Sequence, residues 1–301
     1  MREALPIRRI TSRNEGMVIQ CSKCKSEYYY TLERCPHCAY PGNYSNVLVA
    51  AGTNELDAVE RRYDKAVSGA AKRGCAPQFA EFTAALEASH VVLARPFADV
   101  DRLASGANSV QATYYDLIDA GLLLPDGSLW EQLRKPADEV LFPSYREKIR
   151  FGALSTDGIG VINYGHFWMT MRLPFIEDRT SVFDQNSVTF VSEKKLKTAS
   201  NALVGHRTPW SNRSKLAAAQ LADRIGPATK KDDFASILIR QGATTADDRF
   251  IETHTWGSIT VLTIESVRFQ FDRVRKVAPR SLLKNLSRSL TKYGATLVEV
   301  P

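Results

Sequence analysis

Cys21, Cys24, Cys35 and Cys38 fall as two Cys-x2-Cys pairs separated by ten residues. Each such pair folds as a knuckle that presents two sulfurs to one ion, and two knuckles complete a tetrahedral four-thiolate zinc site. Rubredoxin-like iron is the other metal that such a set holds. Disulfide pairing fits poorly, because no signal-peptide pattern precedes the pairs and Cys75 is left over. His37, inside the second pair, is surplus to a shell that four thiolates already close. An all-thiolate site is structural, so it says where the chain folds and not what it does.

Elsewhere the usual chemical signatures are missing. There is no Gly-rich phosphate loop, no Gly-x-Ser-x-Gly and no His-Glu-x-x-His. Asp232-Asp233 and Asp247-Asp248 read as surface turns, and Cys75 reads as an inert lone thiol despite Arg73 nearby. What remains is polar residues at the ends of predicted strands: Arg150, Tyr164-Gly165, Arg179-Thr180-Ser181, Asn186-Ser187, and Glu252-Thr253-His254. In a strand, Glu252 and His254 share a face. A carboxylate in mid-strand is costly to bury unless it is paired or used, which singles out Glu252. The plainer alternative is a half-exposed carboxylate paired with an arginine.

Four segments would position these residues. The cysteines predict a zinc ribbon over 15–45, with Tyr28–Thr31 as a short β-segment and Pro41-Gly42 as its end. Residues 50–140 read as a helical spacer: Leu56, Val59, Tyr63 and Val67 share one helical face, and Phe79, Phe82, Leu86 and His90 another. Asn54 is the expected N-cap, 111–124 a further helix closed by Pro125-Asp126-Gly127, and Pro96 and Pro136 further punctuation. Over 141–275 the texture is β-branched and aromatic, with strands expected at 149–154, 167–173, 180–191, 250–256 and 260–269. One amphipathic helix, Asn212–Ile225, interrupts them. That pattern gives an α+β fold with a mixed sheet.

The last segment, 276–301, is a basic helix and tail. Pro279 suits a first turn and Gly294 a stop, with Arg280, Lys284, Arg288 and Lys292 every fourth residue opposite Leu282, Leu283, Leu286 and Leu290. From Arg273 to Lys292 there are seven basic residues and no acid. The whole chain carries a net charge of +7, and its C-terminal half is the basic one, so a polyanion would be drawn there. A solvated face, a phosphate-contacting helix and a partner- or membrane-surface helix all remain open for this segment. No apolar run has transmembrane length, so no membrane partner is expected, and reduced thiols point to the cytoplasm.

The order of strand arginine, Tyr-Gly turn, Asn-Ser segment and late strand glutamate resembles the mono-ADP-ribosyltransferase superfamily. The blocks Arg150–Gly158, Tyr164-Gly165, Arg179–Phe190 and Phe250–Val267 are similar to uncharacterised bacterial toxin- or defence-like proteins of that type. The likeness covers about 145–270 and implies an ADP-ribosyltransferase-like domain using NAD+ as substrate. It implies Glu252 as the catalytic glutamate supporting an oxocarbenium ion, Ser187 as the serine behind it, and His254 as a contact to the acceptor. Arg150, Asn186 and Tyr164 would bind NAD. Phe250 stands where the arginine-modifying branch carries a second Glu or Gln, which turns the expected acceptor towards RNA or DNA, or a protein bound to it. A cognate antitoxin or chaperone is a compatible partner. The alternative is a non-enzymatic zinc-ribbon protein that grips nucleic acid through ribbon and basic helix.

Overall fold

The computed structural model describes residues 18–21, 24–29, 35–38, 44–119, 121, 129–198 and 203–301. The expected turns at Pro41-Gly42 and Pro125–Gly127, and Tyr30 and Thr31 of the ribbon segment, lie outside these residues. Two compact units result, residues 1–45 and 46–301. In the first, β1 (Val18–Gln20) pairs antiparallel with β2 (Glu27–Tyr29), Gln20 opposite Glu27.

The second unit is built on an eight-stranded sheet. Its strands are β3 (His90–Arg95), β4 (Ile149–Ser155), β5 (Phe167–Met171), β6 (Thr180–Phe183), β7 (Arg207–Pro209), β10 (Glu252–Trp256), β11 (Ile264–Phe269) and β12 (Thr296–Glu299). The order is β12-β11-β5-β3-β4-β10-β6-β7; only β11 and β12 run parallel. A separate two-stranded ribbon pairs β8 (Ile239–Arg240) with β9 (Arg249–Phe250). The fold is thus α+β with a mixed sheet.

Several sequence expectations give way here. Residues 50–140 are not a helical spacer apart from the sheet: they carry helices Thr53–Lys72 and Ala76–Glu87, then β3, which lies between β4 and β5. Val91, Val92, Leu93 and Ala94 are all buried, so β3 has no alternating pattern to betray it. Second, Ser187–Glu193 is a helix and not strand, because the Asn186 side chain accepts hydrogen bonds from the Val188 and Thr189 N–H groups (3.0 and 3.1 Å) and caps it. Third, the N-cap of Thr53–Lys72 is Gly52 and not Asn54, and Pro136 sits inside the helix Leu129–Leu141. Fourth, the C-terminal helix Arg280–Thr291 buries Leu283, Leu286 and Leu290 but leaves Leu282 40% exposed, one helical step off that face. After Gly294 the chain enters β12, an edge strand rather than a tail.

Residues directly opposite across a ladder carry their side chains on the same face. One face holds Val91, Leu93, Leu154, Met169 and Val182, covered by Val59, Phe79, Phe82, Leu86 and Leu216 of the helices. Each fully buried Phe or Leu there stabilises by about 1.5–3 kcal/mol over exposure. The other face carries a smaller apolar group, Val92, Ala94 and Trp168 with Ile159, Ile162 and Tyr164, and helices Leu129–Leu141 and Ser187–Glu193, which pack on one another. Glu252 and His254 point to this second face.

Candidate functional site

The most regular geometry belongs to the four thiols of the first unit. The Sγ atoms of Cys21, Cys24, Cys35 and Cys38 all lie within 4.8 Å of one another, and could hold a metal ion such as zinc. Cys21 and Cys38 are 3.6 Å apart and Cys24 and Cys35 3.5 Å. A tetrahedron with metal–sulfur bonds of ~2.3 Å has edges of ~3.8 Å, close to these separations. The Cys24 N–H points to Cys21 Sγ (3.5 Å), and Lys25 takes a left-handed turn (φ 61°) that closes the knuckle. Hydrogen bonds from the Ser26 side chain and backbone, with lesser ones from Cys38 and Cys35, hold the Cys24 thiol down to about 6 against the opposing effect of burial. It is therefore ready to ligate at neutral pH. His37 is exposed and outside the four.

The second cluster grows from β10. Glu252 stands opposite Ala153 of β4 and Phe183 of β6, and His254 opposite Phe151 and Ser181. Both are enclosed, 3% and 2% exposed. Glu252 Oε2 accepts the Ser187 N–H (2.9 Å) and lies 3.1 Å from His254 Nε2. Burial works against the Glu252 charge. The His254 hydrogen bond and charge, the Ser187 N–H and the Arg134 charge outweigh it and hold the carboxyl below the usual glutamate range. The imidazole is boxed edge-on by Phe142 (4.7 Å between centroids) and Phe151 (5.4 Å), with Phe183 at 6.0 Å. Asn46 Nδ2 donates to the His254 carbonyl (2.8 Å) and to Ser181 Oγ (3.2 Å), pinning β10 to β6 from outside.

Asn186 and Tyr164 join this group. While Asn186 Oδ1 caps its helix, Nδ2 donates to Tyr164 Oη (3.3 Å). Burial, reinforced by the Glu252 charge, holds the Tyr164 hydroxyl protonated far above the usual phenol range. Tyr164 is fixed by its neighbours: Gly165 has φ 143°, and a Cβ there would sit 2.2 Å from the Arg95 carbonyl carbon. Asn163 is tied to Asp248 (3.0 Å), which is fully buried and not in a surface turn. Ser187 contributes its N–H, while its buried Oγ has no partner.

Arg150 goes elsewhere. It pairs with Thr255, one step out of phase with Glu252 and His254, and so belongs to the opposite face of the sheet. There it donates to the carbonyls of Glu147 (3.1 Å) and Gln111 (3.4 Å) and lies 3.8 Å from Asp116. The structure therefore does not bring Arg150 to Glu252. The basic helix stands apart as well. It packs beside β12, and β12 is five strand spacings from β10, roughly 24 Å at ~4.8 Å per strand. Arg280 is held by Glu299 (Nη2 to Oε1, 3.0 Å) and lies over the Phe271 ring (3.7 Å), whereas Lys284, Arg288 and Lys292 are exposed.

Sequence reasoning missed Arg134, Asp138 and Tyr115. Arg134 lies over the Phe151 ring at 4.3 Å and 3.6 Å from Asp138, whose Oδ2 also accepts the Tyr115 hydroxyl (2.8 Å). Burial pushes the Asp138 carboxyl up despite both partners. Their only sequence signal was an Arg and Asp four residues apart in a segment read as spacer. Cys75 is buried, its Sγ 3.3 Å from the Ile225 carbonyl, as an inert thiol would be. Among the described residues no helix is long and apolar enough to cross a membrane. Compared with known proteins, the chain matches no family model and no curated protein.

Proposed function

We propose that the protein is an NAD-dependent ADP-ribosyltransferase of bacterial toxin or phage-defence type, with Glu252 as its catalytic carboxylate and nucleic acid as its acceptor. One observation carries this: a carboxylate 3% exposed, kept ionised by an imidazole and a backbone N–H, with the hydroxyl of Ser187 unpartnered beside it. Fixed negative charge in a dry site is what a sugar cation needs as it forms. The C1′–N bond of NAD breaks with its electron pair leaving on nicotinamide. An acceptor hydroxyl or ring nitrogen bonds to C1′ and its proton passes to the Glu252–His254 pair. Tyr164 and Asn186, joined to each other at this face, suit contacts to the nicotinamide half. Zinc in the four-thiolate site would be structural.

Exposed Lys284, Arg288 and Lys292 support a polyanionic acceptor. The test is incubation of the full chain with labelled NAD and separate RNA, DNA and protein fractions, with Glu252→Gln as control. Label on nucleic acid, lost in the variant, is the expected result. Label on protein alone would replace the acceptor, and no consumption of NAD by the wild type would remove the enzyme. A second reading, a non-enzymatic nucleic-acid-binding protein, is favoured by the exposed cations of the C-terminal helix. It predicts binding to nucleic acid with NAD untouched.

A further inference from the structure

Although Arg150 is absent from the Glu252 face, that face has an arginine. Arg134 descends from helix Leu129–Leu141, and its guanidinium carbon lies over Phe151, 4.3 Å from the ring centroid. Phe151 is directly opposite His254 in the β4–β10 ladder, so the guanidinium is one side chain removed from the Glu252–His254 pair.

Its donors are unspent. Nε is buried without a hydrogen-bond partner, and the 3.6 Å to Asp138 Oδ2 is too long for one. No described residue accepts from the two terminal amino groups. Asp138 itself is poorly placed to take more: Oδ2 is committed to Tyr115 and Oδ1 is buried without a partner. A purely structural Arg134–Asp138 pair would leave the buried Nε unsatisfied and the two terminal amino groups to solvent alone, in a side chain only 16% exposed. The same fork matches two oxygens of a phosphate, with an aromatic plane beneath and a little solvent access above. Arg150 shares the buried, unpartnered Nε but gives both terminal amino groups to backbone carbonyls.

We infer that Arg134, and not Arg150, seats the anionic part of a phosphate-bearing ligand at the Glu252 face, with Phe151 as its platform. The choice of a dinucleotide pyrophosphate as that anion rests on the function proposed above; the anion seat does not. Arg134 is then the side chain that fixes which ligands enter, by demanding phosphate.

The probes are ADP-ribose, which carries a pyrophosphate, and adenosine, which carries none. Titration calorimetry on the zinc-loaded full chain compares wild type, Arg134→Gln, Arg134→Lys and Arg150→Gln. Losing a bidentate phosphate contact should weaken ADP-ribose by about tenfold or more in Arg134→Gln. Arg134→Lys should fall between, adenosine should not change, and Arg150→Gln should bind as wild type. Should Arg134→Gln not fold, Arg134→Lys carries the test, since it keeps the charge but loses the fork. Equal ADP-ribose affinity in wild type and Arg134 variants, a phosphate-selective loss in Arg150→Gln, or no ADP-ribose binding by the wild type would each overturn the inference. Arg134-dependent ADP-ribose binding without NAD turnover would keep the seat and dismiss the transferase. NAD turnover indifferent to Arg134 would do the reverse.

Discussion

Glu252 is a residue whose local chemistry has consequences in two kinds of measurement. Its carboxyl is held below the ordinary glutamate value by His254, Ser187 and Arg134 against the opposing pull of burial. The native state therefore binds fewer protons than the unfolded chain as pH falls through the acid range. This stabilisation is complete above the unfolded glutamate value and is lost as pH drops towards the folded one. Glu252→Gln carries no such charge, so its stability deficit against wild type should shrink on acidification. Urea denaturation of both proteins at pH 7 and near pH 4 reads this, and a pH-independent difference contradicts it. Asp138 is displaced the other way, chiefly by burial with a smaller contribution from the Glu252 charge, so only its burial-driven part is common to both proteins. In the NAD assay the same variant should lose transfer by at least about a hundredfold, as removal of a preorganised charge does. At Gly165, alanine meets both a positive φ of 143° and the Arg95 backbone at 2.2 Å. Gly165→Ala should cost at least about 1–3 kcal/mol from backbone strain alone, and a denaturation midpoint equal to wild type would show the turn to be slack.

The C-terminal helix separates at element scale into a packed face and an exposed row of cations. Leu286 is fully buried, so Leu286→Ala should cost about 2–5 kcal/mol in denaturant unfolding. Arg172 donates to the carbonyls of Tyr293 and Gly294 and secures the end of this helix. Because Arg280 is engaged by Glu299 and Phe271, the cations free to meet phosphate are Lys284, Arg288 and Lys292. Replacing Lys284 and Arg288 by Gln should flatten the log–log salt dependence of single-strand binding by about 1.4 units. Thermal stability should hardly move, since neither side chain is buried. An unchanged slope would return the helix to a purely packing role.

For the molecule as a whole, two units imply two dependences. Metal is expected to hold residues 1–45, whereas residues 46–301 have a core of their own. Protein purified under reducing conditions should carry about one zinc per chain, as four thiolates bind one ion. Chelation, or Cys35→Ser, should abolish protection of the first unit in hydrogen exchange and leave the second unit's melting transition in place. Protein free of zinc with its first unit fully protected would reject the metal centre. The roughly 24 Å from the Glu252 strand to β12, beside which the basic helix packs, also means that an acceptor engaging both ends of the sheet must be extended.

What the sequence determined alone was whatever depends on spacing along the chain. The two Cys-x2-Cys pairs, the runs at 149–154 and 167–173, the helix after Pro279 and the shared face of Glu252 and His254 are local patterns, and period or spacing suffices to read them. Tertiary structure decided the rest. β3 is buried on both faces and so has no period to read. The capping side chain of Asn186 overrode the β-branched composition of Ser187–Glu193. Register placed Arg150 on the far face: a single residue of phase between β4 and β10 separates it from Glu252, and no spacing within either strand encodes that phase. Arg134 reached the Glu252 face only because a helix more than a hundred residues earlier in the chain than Glu252 brings it over Phe151 of β4, a long-range packing choice that one sequence does not display.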